Sequence, residues 1–483
     1  MMYIGVDVGT SGTKVILTDA NAETLASYVA EYKLYSPRNG YAEQDALDWR
    51  NAAFKGIRAV LEQSGARGAD VRAIGLSGQM HGLVPLNADG DPLRKAIIWC
   101  DQRSGAEAAL LTEIFGRETL IEKTGNPAMT GFTAAKLLWF KNNEPSVFAM
   151  CKHVLLPKDY IRLCLTGGFA TDISDAAGTQ LMNIISGDWD SELLAGLGIS
   201  REILPRIHES AEHVGTISQY AASRTGLKAG TPVVAGAADN AAAAIGCGII
   251  SEGNALTTLG SSAVIYAVSD KPRIDGQGRV HTLRASVPGK WTIMSCTQAA
   301  GMSLKWLRET FGFTETYSEL DRLAAEIPVG SDRLIYLPFL NGERSPNPDP
   351  DARGVFIGLN SAHTKANVVR AVLEGVAFSQ RACLDVFREI GINITDMIST
   401  GGGSKSRLWR QILADLYNCP VKALGSDDGA AMGAAVLAGA RGTVRVAEVT
   451  EPSSDAARYE DFYGVYKNLY PTLKSTFAAM AKL

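Results

Sequence analysis

The stretch YIGVDVGTSGTKVILTD, residues 3–19, opens the chain and decides its fold. Val, Ile and Leu dominate residues 3–8 and 13–19, and a Gly-Thr-Ser-Gly turn separates the two runs. Short β-branched runs joined by a glycine-containing turn predict a β-hairpin. A turn of small and hydroxyl residues also lets several backbone N–H groups approach one point, which is what a phosphate requires.

A second stretch repeats this pattern far along the chain. TLGSSAVIYAVSD, residues 258–270, matches DVGTSGTKVILTD, residues 7–19, with an apolar run and a final Asp at the same spacing. The aligned turn residues are Gly9 with Gly260, Thr10 with Ser261, and Ser11 with Ser262. Glycine and serine are common in any hairpin turn, which is one explanation. The other is a duplicated domain with a phosphate loop in each copy.

The rest of the chain alternates strand and helix patterns, which favours an α/β fold. Asp45 is typical of an N-cap for a helix reaching about residue 63, and a strand at 71–77 follows. Because single cores stop growing near ~250–300 residues, 483 residues predict two domains. We expect an N-terminal domain over 1–245, a C-terminal domain over 246–440, and terminal helices over 441–483.

Composition excludes several classes of partner. The chain is 46% hydrophobic and 20% charged with a net charge of −4, so neither nucleic acid nor an anionic membrane is expected as a partner. Seven cysteines without a CxxC pair favour reduced thiols in the cytoplasm over disulfides or zinc. The N-terminus enters a strand directly, which argues against a signal peptide. The sequence leaves open whether the protein forms a homodimer.

A third glycine turn, Gly401-Gly402-Gly403-Ser404, follows a strand pattern and precedes a helix pattern. A ligand there would meet a helix N-terminus. Neither the Walker A spacing nor GxGxxG is present beside the first strand. A nucleotide would therefore need a different cradle, shared between the two half-chains.

Two acidic residues are placed where strands end. Asp7 ends the first strand beside the glycine turn and could hold Mg²⁺ against a phosphate, although a turn-capping role is the simpler alternative. Asp239 lies between an apolar run and a helix-forming segment. A plain N-cap would explain it, and so would a general base for phosphoryl transfer to a hydroxyl.

Three further segments carry polar residues. The loop Ser77–Gly82 follows a strand and contains His81, which is either incidental or part of a ligand site at the sheet edge. Asp101 and Arg103 form a charged pair that an ordinary surface ion pair would also explain. Residues 131–140 predict an amphipathic helix with Lys136 exposed, and residues 155–179 suggest no mechanism from spacing alone.

Together these motifs resemble the FGGY carbohydrate kinases over nearly the whole chain, and within that family the xylulokinases. Residues 5–11 resemble the first phosphate motif and 131–143 the N-terminal signature. Residues 354–374 resemble the C-terminal signature and 400–403 the adenosine motif. The subfamily resemblance rests on segments 79–82, 124–127 and 155–179.

The resemblance implies two actin-like, ribonuclease-H-like ATPase domains with a cleft between them that closes on substrate. It implies transfer of the ATP γ-phosphate to D-xylulose, with ATP and Mg²⁺. The implied residues are Asp239 and Asp7 for catalysis and metal; Met80, His81, Asp239, Asn240 and Asp101 for the sugar; and Gly9, Thr10, Ser11, Gly260, Ser261, Gly402, Gly403 and Ser406 for ATP.

Three segments depart from the family pattern: Ala237 and Ala238 stand before Asp239, Ala263 stands in the second turn, and Cys100 stands before Asp101. The acid and a hydroxyl remain in the first two cases, whereas Cys100 bears on the choice of ketose. Two alternatives stay open. One is a kinase of the same fold for ribulose, fuculose or gluconate, and the other is an actin-like ATPase that changes conformation.

Overall fold

The structure is a computed structural model that describes residues 1–425, 428–442 and 444–483. We call residues 1–246 the N-terminal lobe and residues 254–483 the C-terminal lobe. Each lobe contains one seven-stranded mixed sheet with helices on its faces. None of the helices in the described ranges is long and apolar enough to cross a membrane.

The elements of the N-terminal lobe are, in chain order, β1 (Met2–Val8), β2 (Gly12–Asp19), β3 (Thr24–Glu31), β4 (Glu43–Gln44), α1 (Ala46–Ser64), β5 (Val71–Gly78), β6 (Val84–Leu86), β7 (Ala96–Ile97), α2 (Gly105–Phe115), α3 (Arg117–Thr124), α4 (Thr133–Asn143), α5 (Pro145–Phe148), β8 (His153–Leu155), α6 (Pro157–Thr166), β9 (Ala170–Asp172), α7 (Ile173–Ala177), β10 (Met182–Asn183), β11 (Asp188–Trp189), α8 (Ser191–Leu197), β12 (Arg206–His208), β13 (His213–Thr216), α9 (Gln219–Thr225), β14 (Pro232–Val234), β15 (Ala237–Ala238) and α10 (Asp239–Gly246).

The elements of the C-terminal lobe are β16 (Asn254–Leu259), β17 (Ala263–Ser269), β18 (His281–Arg284), β19 (Trp291–Thr297), α11 (Gly301–Thr310), α12 (Tyr317–Ala325), β20 (Ile335–Leu337), β21 (Val355–Ile357), α13 (Lys365–Glu389), β22 (Asp396–Thr400), α14 (Arg407–Tyr417), β23 (Val421–Leu424), α15 (Gly429–Leu437), β24 (Val446–Thr450) and α16 (Ala456–Met480).

The two sheets share one strand order. The first runs β13-β14-β5-β1-β2-β3 and the second runs β24-β23-β22-β16-β17-β19, with β18 added at its edge. In each, the hairpin is antiparallel, two successive parallel strands follow beside its first strand, and an antiparallel strand closes that side. The predicted duplication and the α/β class are therefore confirmed.

The two hairpins differ in the length of their turns. In the first, Val8 pairs with Thr13, and the Gly9 N–H donates to the Gly12 carbonyl over 3.0 Å. In the second, Leu259 pairs with Ala263, and the Gly260 N–H donates to the Ser262 carbonyl over 3.0 Å. The second phosphate loop is therefore one residue shorter, although the preceding strands match.

The structure confirms the predicted cap of α1 and corrects the prediction for the last segment of the chain. Asp45 caps α1, because its carboxylate accepts the Leu47 N–H over 3.0 Å. The last segment, 441–483, is not made of helices alone. Its residues 446–450 form β24, which pairs with β23 and extends the second sheet. Alternating apolar residues in that short stretch are too few to distinguish a strand from a turn.

The lobes meet where α15 of the C-terminal lobe packs on the N-terminal lobe. α15 lies against β1, β5 and α10 of the N-terminal lobe. This approach requires glycine, since a Cβ on Gly433 would lie 1.7 Å from the Ala242 carbonyl oxygen. A Cβ on Gly75 would lie 1.8 Å from the Ala434 carbonyl oxygen. The two lobes are therefore in contact through closely packed backbone at this place.

Candidate active site

The two acids predicted for catalysis come together at one sheet edge. Asp7 on β1 is in register with Ser77 on β5, and Ser77 is in register with Ala237 on β15. Three parallel strands therefore end side by side, and Asp239 begins α10 directly after the third. Carboxyl ends of parallel strands are where ligands of α/β sheets bind.

Neither acid has the capping role that competed with catalysis. Asp7 Oδ1 accepts a hydrogen bond from the Ser77 hydroxyl over 3.0 Å. Asp239 is the first residue of its helix, with Ala238 in the N-cap position. Asp239 Oδ1 accepts from the N–H of the adjacent Asn240 over 2.7 Å and from the Asn240 side-chain amide over 3.1 Å.

Burial raises the pKa of both carboxyl groups, and the charge of Asp7 adds to the shift of Asp239. Burial raises the pKa of Asp7 to about 6, although the Ser77 hydrogen bond and the charge of Lys14 oppose the shift. Burial, and then the negative charge of Asp7, raise the pKa of Asp239 to about 7. A carboxyl group that titrates near neutrality inside a cleft has the property expected of a general base.

The loop after β5 presents the predicted sugar residues. Met80 and His81 are buried, and the Asn240 amide lies 3.6 Å from the Met80 sulfur. His81 has a backbone φ of 66°, a conformation that costs energy for a residue with a Cβ. Its carbonyl oxygen accepts from both Lys136 and Thr133 over 3.1 Å, which holds the loop in place.

The ring of His81 has a defined protonation state. Its Nδ1 lies 2.6 Å from the Gly178 carbonyl oxygen, so Nδ1–H is the donor. Burial and the positive charges of Lys136 and Arg344 lower the pKa of His81 to about 3. The neutral ring therefore keeps Nε2 as a hydrogen-bond acceptor.

Lys136 is buried rather than exposed, so this prediction is wrong. Its ammonium group donates to the carbonyl oxygens of Gly131 and His81, and burial lowers its pKa to about 7. The amphipathic pattern of α4 identifies its two faces. It does not reveal that the polar face packs beneath the sugar loop.

Asp101 is likewise not part of a surface ion pair. It is fully buried, and its Oδ2 lies 2.8 Å from Arg103, whose side chain is also buried. The Ala42 N–H donates to the same carboxylate over 2.5 Å. Arg103 stacks on the ring of Tyr41 at 3.8 Å. The role of Asp101 toward a sugar stays a prediction.

The first glycine turn, residues 9–12, is hydrogen-bonded to the loop at residues 79–82. The Thr10 hydroxyl donates to Gln79 Oε1 over 3.3 Å and accepts from the Trp99 indole over 2.9 Å. The amide of Gln79 lies 3.4 Å from the Gly9 carbonyl oxygen. Ser11 at the tip is exposed. Hydrogen bonds therefore connect this turn to the loop that carries Met80 and His81.

A cavity of about 860 Å³ lies between the second phosphate loop and the third glycine turn. Five of the residues predicted to bind ATP line it: Gly260, Ser261, Gly402, Gly403 and Ser406. A Cβ on Gly402 would project into open space, so this position leaves room for a ligand. The volume is in the range of small-molecule sites.

The other walls of this cavity were not anticipated from the sequence. They come from α11 and α12, which contribute Met302, Lys305, Trp306, Tyr317 and Asp321. α11 begins at the loop itself, because the Gly301 N–H donates to the Gly260 carbonyl over 2.8 Å. These residues belong to no motif that the sequence analysis identified.

The chain is similar to known proteins along nearly its whole length. Residues 2–246 match the N-terminal domain, and residues 255–441 the C-terminal domain, of the FGGY family of carbohydrate kinases. A xylulose kinase of Bacillus subtilis (strain 168) is 37% identical over 490 residues, covering 99% of this chain and 98% of that protein.

Solved structures agree on the fold. A "xyloylose kinase" from Brucella ovis superimposes with a TM-score of 0.93 at 36% identity, covering 99% of this chain and 100% of that one. A gluconate kinase from Lactobacillus acidophilus superimposes with a TM-score of 0.94 at 29% identity, covering 99% of each chain.

Proposed function

This chain belongs to the FGGY family of carbohydrate kinases, and from that premise we propose that it transfers the γ-phosphoryl group of ATP to the terminal hydroxyl of D-xylulose, giving D-xylulose 5-phosphate. The observation that carries the proposal is the pair Asp7 and Asp239, which lie at the ends of neighbouring parallel strands, beside the loop of Met80 and His81. The similarity over the full chain to a xylulose kinase supports the choice of sugar.

Asp239 is the proposed general base. Its pKa near 7 leaves a large fraction ionised at neutral pH, while the remaining basicity favours uptake of the hydroxyl proton. Asn240 holds one carboxylate oxygen, so the other can meet the substrate. Since phosphoryl transfer depends mainly on positioning and charge neutralisation, an oriented carboxylate suits it.

Met80 and His81 are the proposed sugar contacts, together with Asn240 and Asp101. His81 Nε2 accepts a hydroxyl hydrogen bond, because Nδ1–H is already used by Gly178. The Met80 side chain supplies an apolar wall beside Asn240. A polyhydroxyl ligand needs both kinds of surface.

The donor set fits a magnesium ion. Mg²⁺ usually takes one or two carboxylates plus phosphate oxygens and waters, rather than a cage built by the protein alone. Asp7 and Asp239 provide two carboxylates that repel each other, and no cluster of three or more candidate ligands occurs in the part of the chain that the structure describes. The proposed ion would neutralise charge on the phosphates of ATP.

We assign the two substrates to different domains, with the domain boundary between residues 245 and 246. Residues 1–245 take the sugar, and Gly9, Thr10 and Ser11 meet the phosphates. Residues 246–440 take the nucleotide through Gly260, Ser261, Gly402, Gly403 and Ser406. No disulfide joins any of the seven cysteines in the part of the chain that the structure describes, which supports a reducing, cytoplasmic setting.

A sugar-acid kinase is the second candidate, because a gluconate kinase has the same fold. ADP release measured with D-xylulose, ribulose, fuculose, gluconate and glycerol separates the candidates. We expect kcat/KM for D-xylulose to exceed the others by at least about tenfold. If kcat/KM were higher with gluconate, gluconate would replace D-xylulose as the proposed substrate. If ATP were hydrolysed at a rate that no sugar changes, the protein would be a conformational ATPase.

A further inference from the structure

Five charged side chains form a fully buried group beside the catalytic strands, which we call the Lys158 cluster. Its members are Lys158, Asp159, Arg162, Asp172 and Asp175, and each is 0% exposed. The Lys158 ammonium lies 2.7 Å from Asp159, 2.8 Å from Asp172 and 3.0 Å from Asp175. These residues all lie in the stretch 155–179, which suggested no mechanism in the sequence.

The cluster is close to electrical neutrality. Lys158 and Arg162 supply two positive charges against three carboxyl groups, and burial raises the pKa of Asp175 to about 8. One carboxyl group is therefore mostly protonated at pH 7. Buried ion pairs of this kind rarely stabilise a fold more than apolar residues of the same size would. Their presence here calls for a role other than stability.

One hydroxyl connects the cluster to the base. Asp172 Oδ2 accepts from the Ser174 hydroxyl over 2.5 Å, while the Ser174 Oγ accepts the Ala238 N–H over 3.1 Å. Ala238 directly precedes Asp239. Asp172 also accepts the Ser174 N–H over 2.9 Å, which fixes the start of α7.

We propose that Ser174, fixed by the Lys158 cluster through Asp172, is a positioning residue that sets the backbone of Asp239 for proton transfer. This inference rests on the proposed function, because it assigns Ser174 a part in the same reaction. Ser174 acts through Asp239 and touches neither substrate.

The same segment reaches both sides of the sugar site, which supports a positioning role. Arg162 donates to the Ala235 carbonyl over 2.8 Å, so the cluster holds the chain at a second point before Asp239. At the end of α7, the Gly178 carbonyl orients His81 over 2.6 Å. The same buried framework therefore holds both the proposed base, Asp239, and the proposed sugar contact, His81.

Ser174→Ala and Ser210→Ala make a matched pair. The Ser210 hydroxyl also donates to Asp172 Oδ2, over 2.8 Å, but its side chain has no bond to Ala238. Both variants lose one hydrogen bond to the same carboxylate, and only Ser174→Ala releases the backbone before Asp239. Measured quantities are kcat and KM for each substrate with D-xylulose and ATP, and Tm for both variants.

We expect Ser174→Ala to lower kcat at least about tenfold with KM for ATP within about twofold, while Ser210→Ala keeps both values within about twofold of the unaltered enzyme. Ser174→Cys, similar in size and a weaker acceptor, should give an intermediate kcat and serves if the alanine variant does not fold. Equal kcat in the Ser174 and Ser210 variants would overturn the inference. An unaltered enzyme without sugar-dependent ADP release would instead overturn the proposed function.

Discussion

The two lobes place different residues at the same point of the same sheet. Asp7 on β1 bonds the hydroxyl of Ser77 on the neighbouring parallel strand over 3.0 Å. Thr258 on β16 bonds the hydroxyl of Thr400 over 3.1 Å, in the same register. One lobe carries an acid and the other a neutral hydroxyl. This difference suits a cleft in which one side handles a proton and a metal while the other accepts a polyphosphate.

The contrast extends to the loops that follow. After β5 the chain continues into Gln79, Met80 and His81, and after the equivalent β22 it continues into three glycines. Side chains that can recognise hydroxyl groups lie on one side, and bare backbone beside a cavity of about 860 Å³ lies on the other. The two lobes thus share one scaffold. We propose that the residues at their strand ends determine which lobe binds the sugar and which binds the nucleotide.

The largest effect is expected at Asp239, which begins α10. It is compared with Asp428, which stands at the start of α15 in the other lobe. Asp239→Asn should lower kcat at least about a thousandfold while ATP still binds, because the variant cannot accept the proton. Asp428→Asn is the matched control, since Asp428 precedes α15 and is already bound to Lys14 at 2.8 Å. Steady-state kinetics and ATP titration measure both. Near-normal kcat in Asp239→Asn would contradict its role.

The second prediction concerns pH. Burial and Asp7 raise the pKa of Asp239 to about 7, so the protonated form, which cannot act as a base, accumulates as pH falls through 7. Log kcat/KM should fall by about one for each pH unit below 7 and more steeply below 6, where Asp7 is also protonated. A profile that stays flat down to pH 5 would exclude a base with this pKa.

A third prediction removes the difference between the lobes. Thr258→Asp puts a carboxylate at the position that mirrors Asp7, where it should repel the phosphates of ATP and raise KM for ATP at least about tenfold. Thr258→Ser keeps the hydroxyl and should leave KM within about twofold. An unchanged KM in the aspartate variant would mean that the second loop does not meet the phosphates.

The smallest effect is expected at the sugar loop. His81→Ala removes one acceptor, which is worth about 1 kcal/mol, and should raise KM for D-xylulose about fivefold to tenfold with little change for ATP. His81→Asn retains an acceptor and a residue that tolerates positive φ, so it should retain more affinity. Equal increases in both KM values would argue against a role specific to the sugar.

Much of the fold was predictable because its signals are local. The hairpin at residues 3–19, its repeat at 258–270 and the N-cap at Asp45 all follow from patterns within a few residues. Features that depend on distant partners were not. β24 forms only because β23 offers an edge, and the burial of Lys136 depends on the carbonyl groups of another segment.

The site divides in the same way. Strand ends and glycine turns indicated Asp7, Asp239 and the three loops, because their positions follow from strand patterns. The two-residue strand β15, which sets the register of Asp239, is too short to show in a pattern. The Lys158 cluster assembles residues from two helices and a strand, and no spacing rule reveals that they meet.

The central claim is that the enzyme phosphorylates the terminal hydroxyl of a ketose. The most direct measurement is the ¹³C NMR spectrum of the product formed from D-xylulose and ATP. We expect one ADP to be released for each sugar consumed, and phosphorus coupling to appear at the C5 and C4 carbons of the product. Phosphate attached at C1, or release of inorganic phosphate without any phosphorylated sugar, would contradict it.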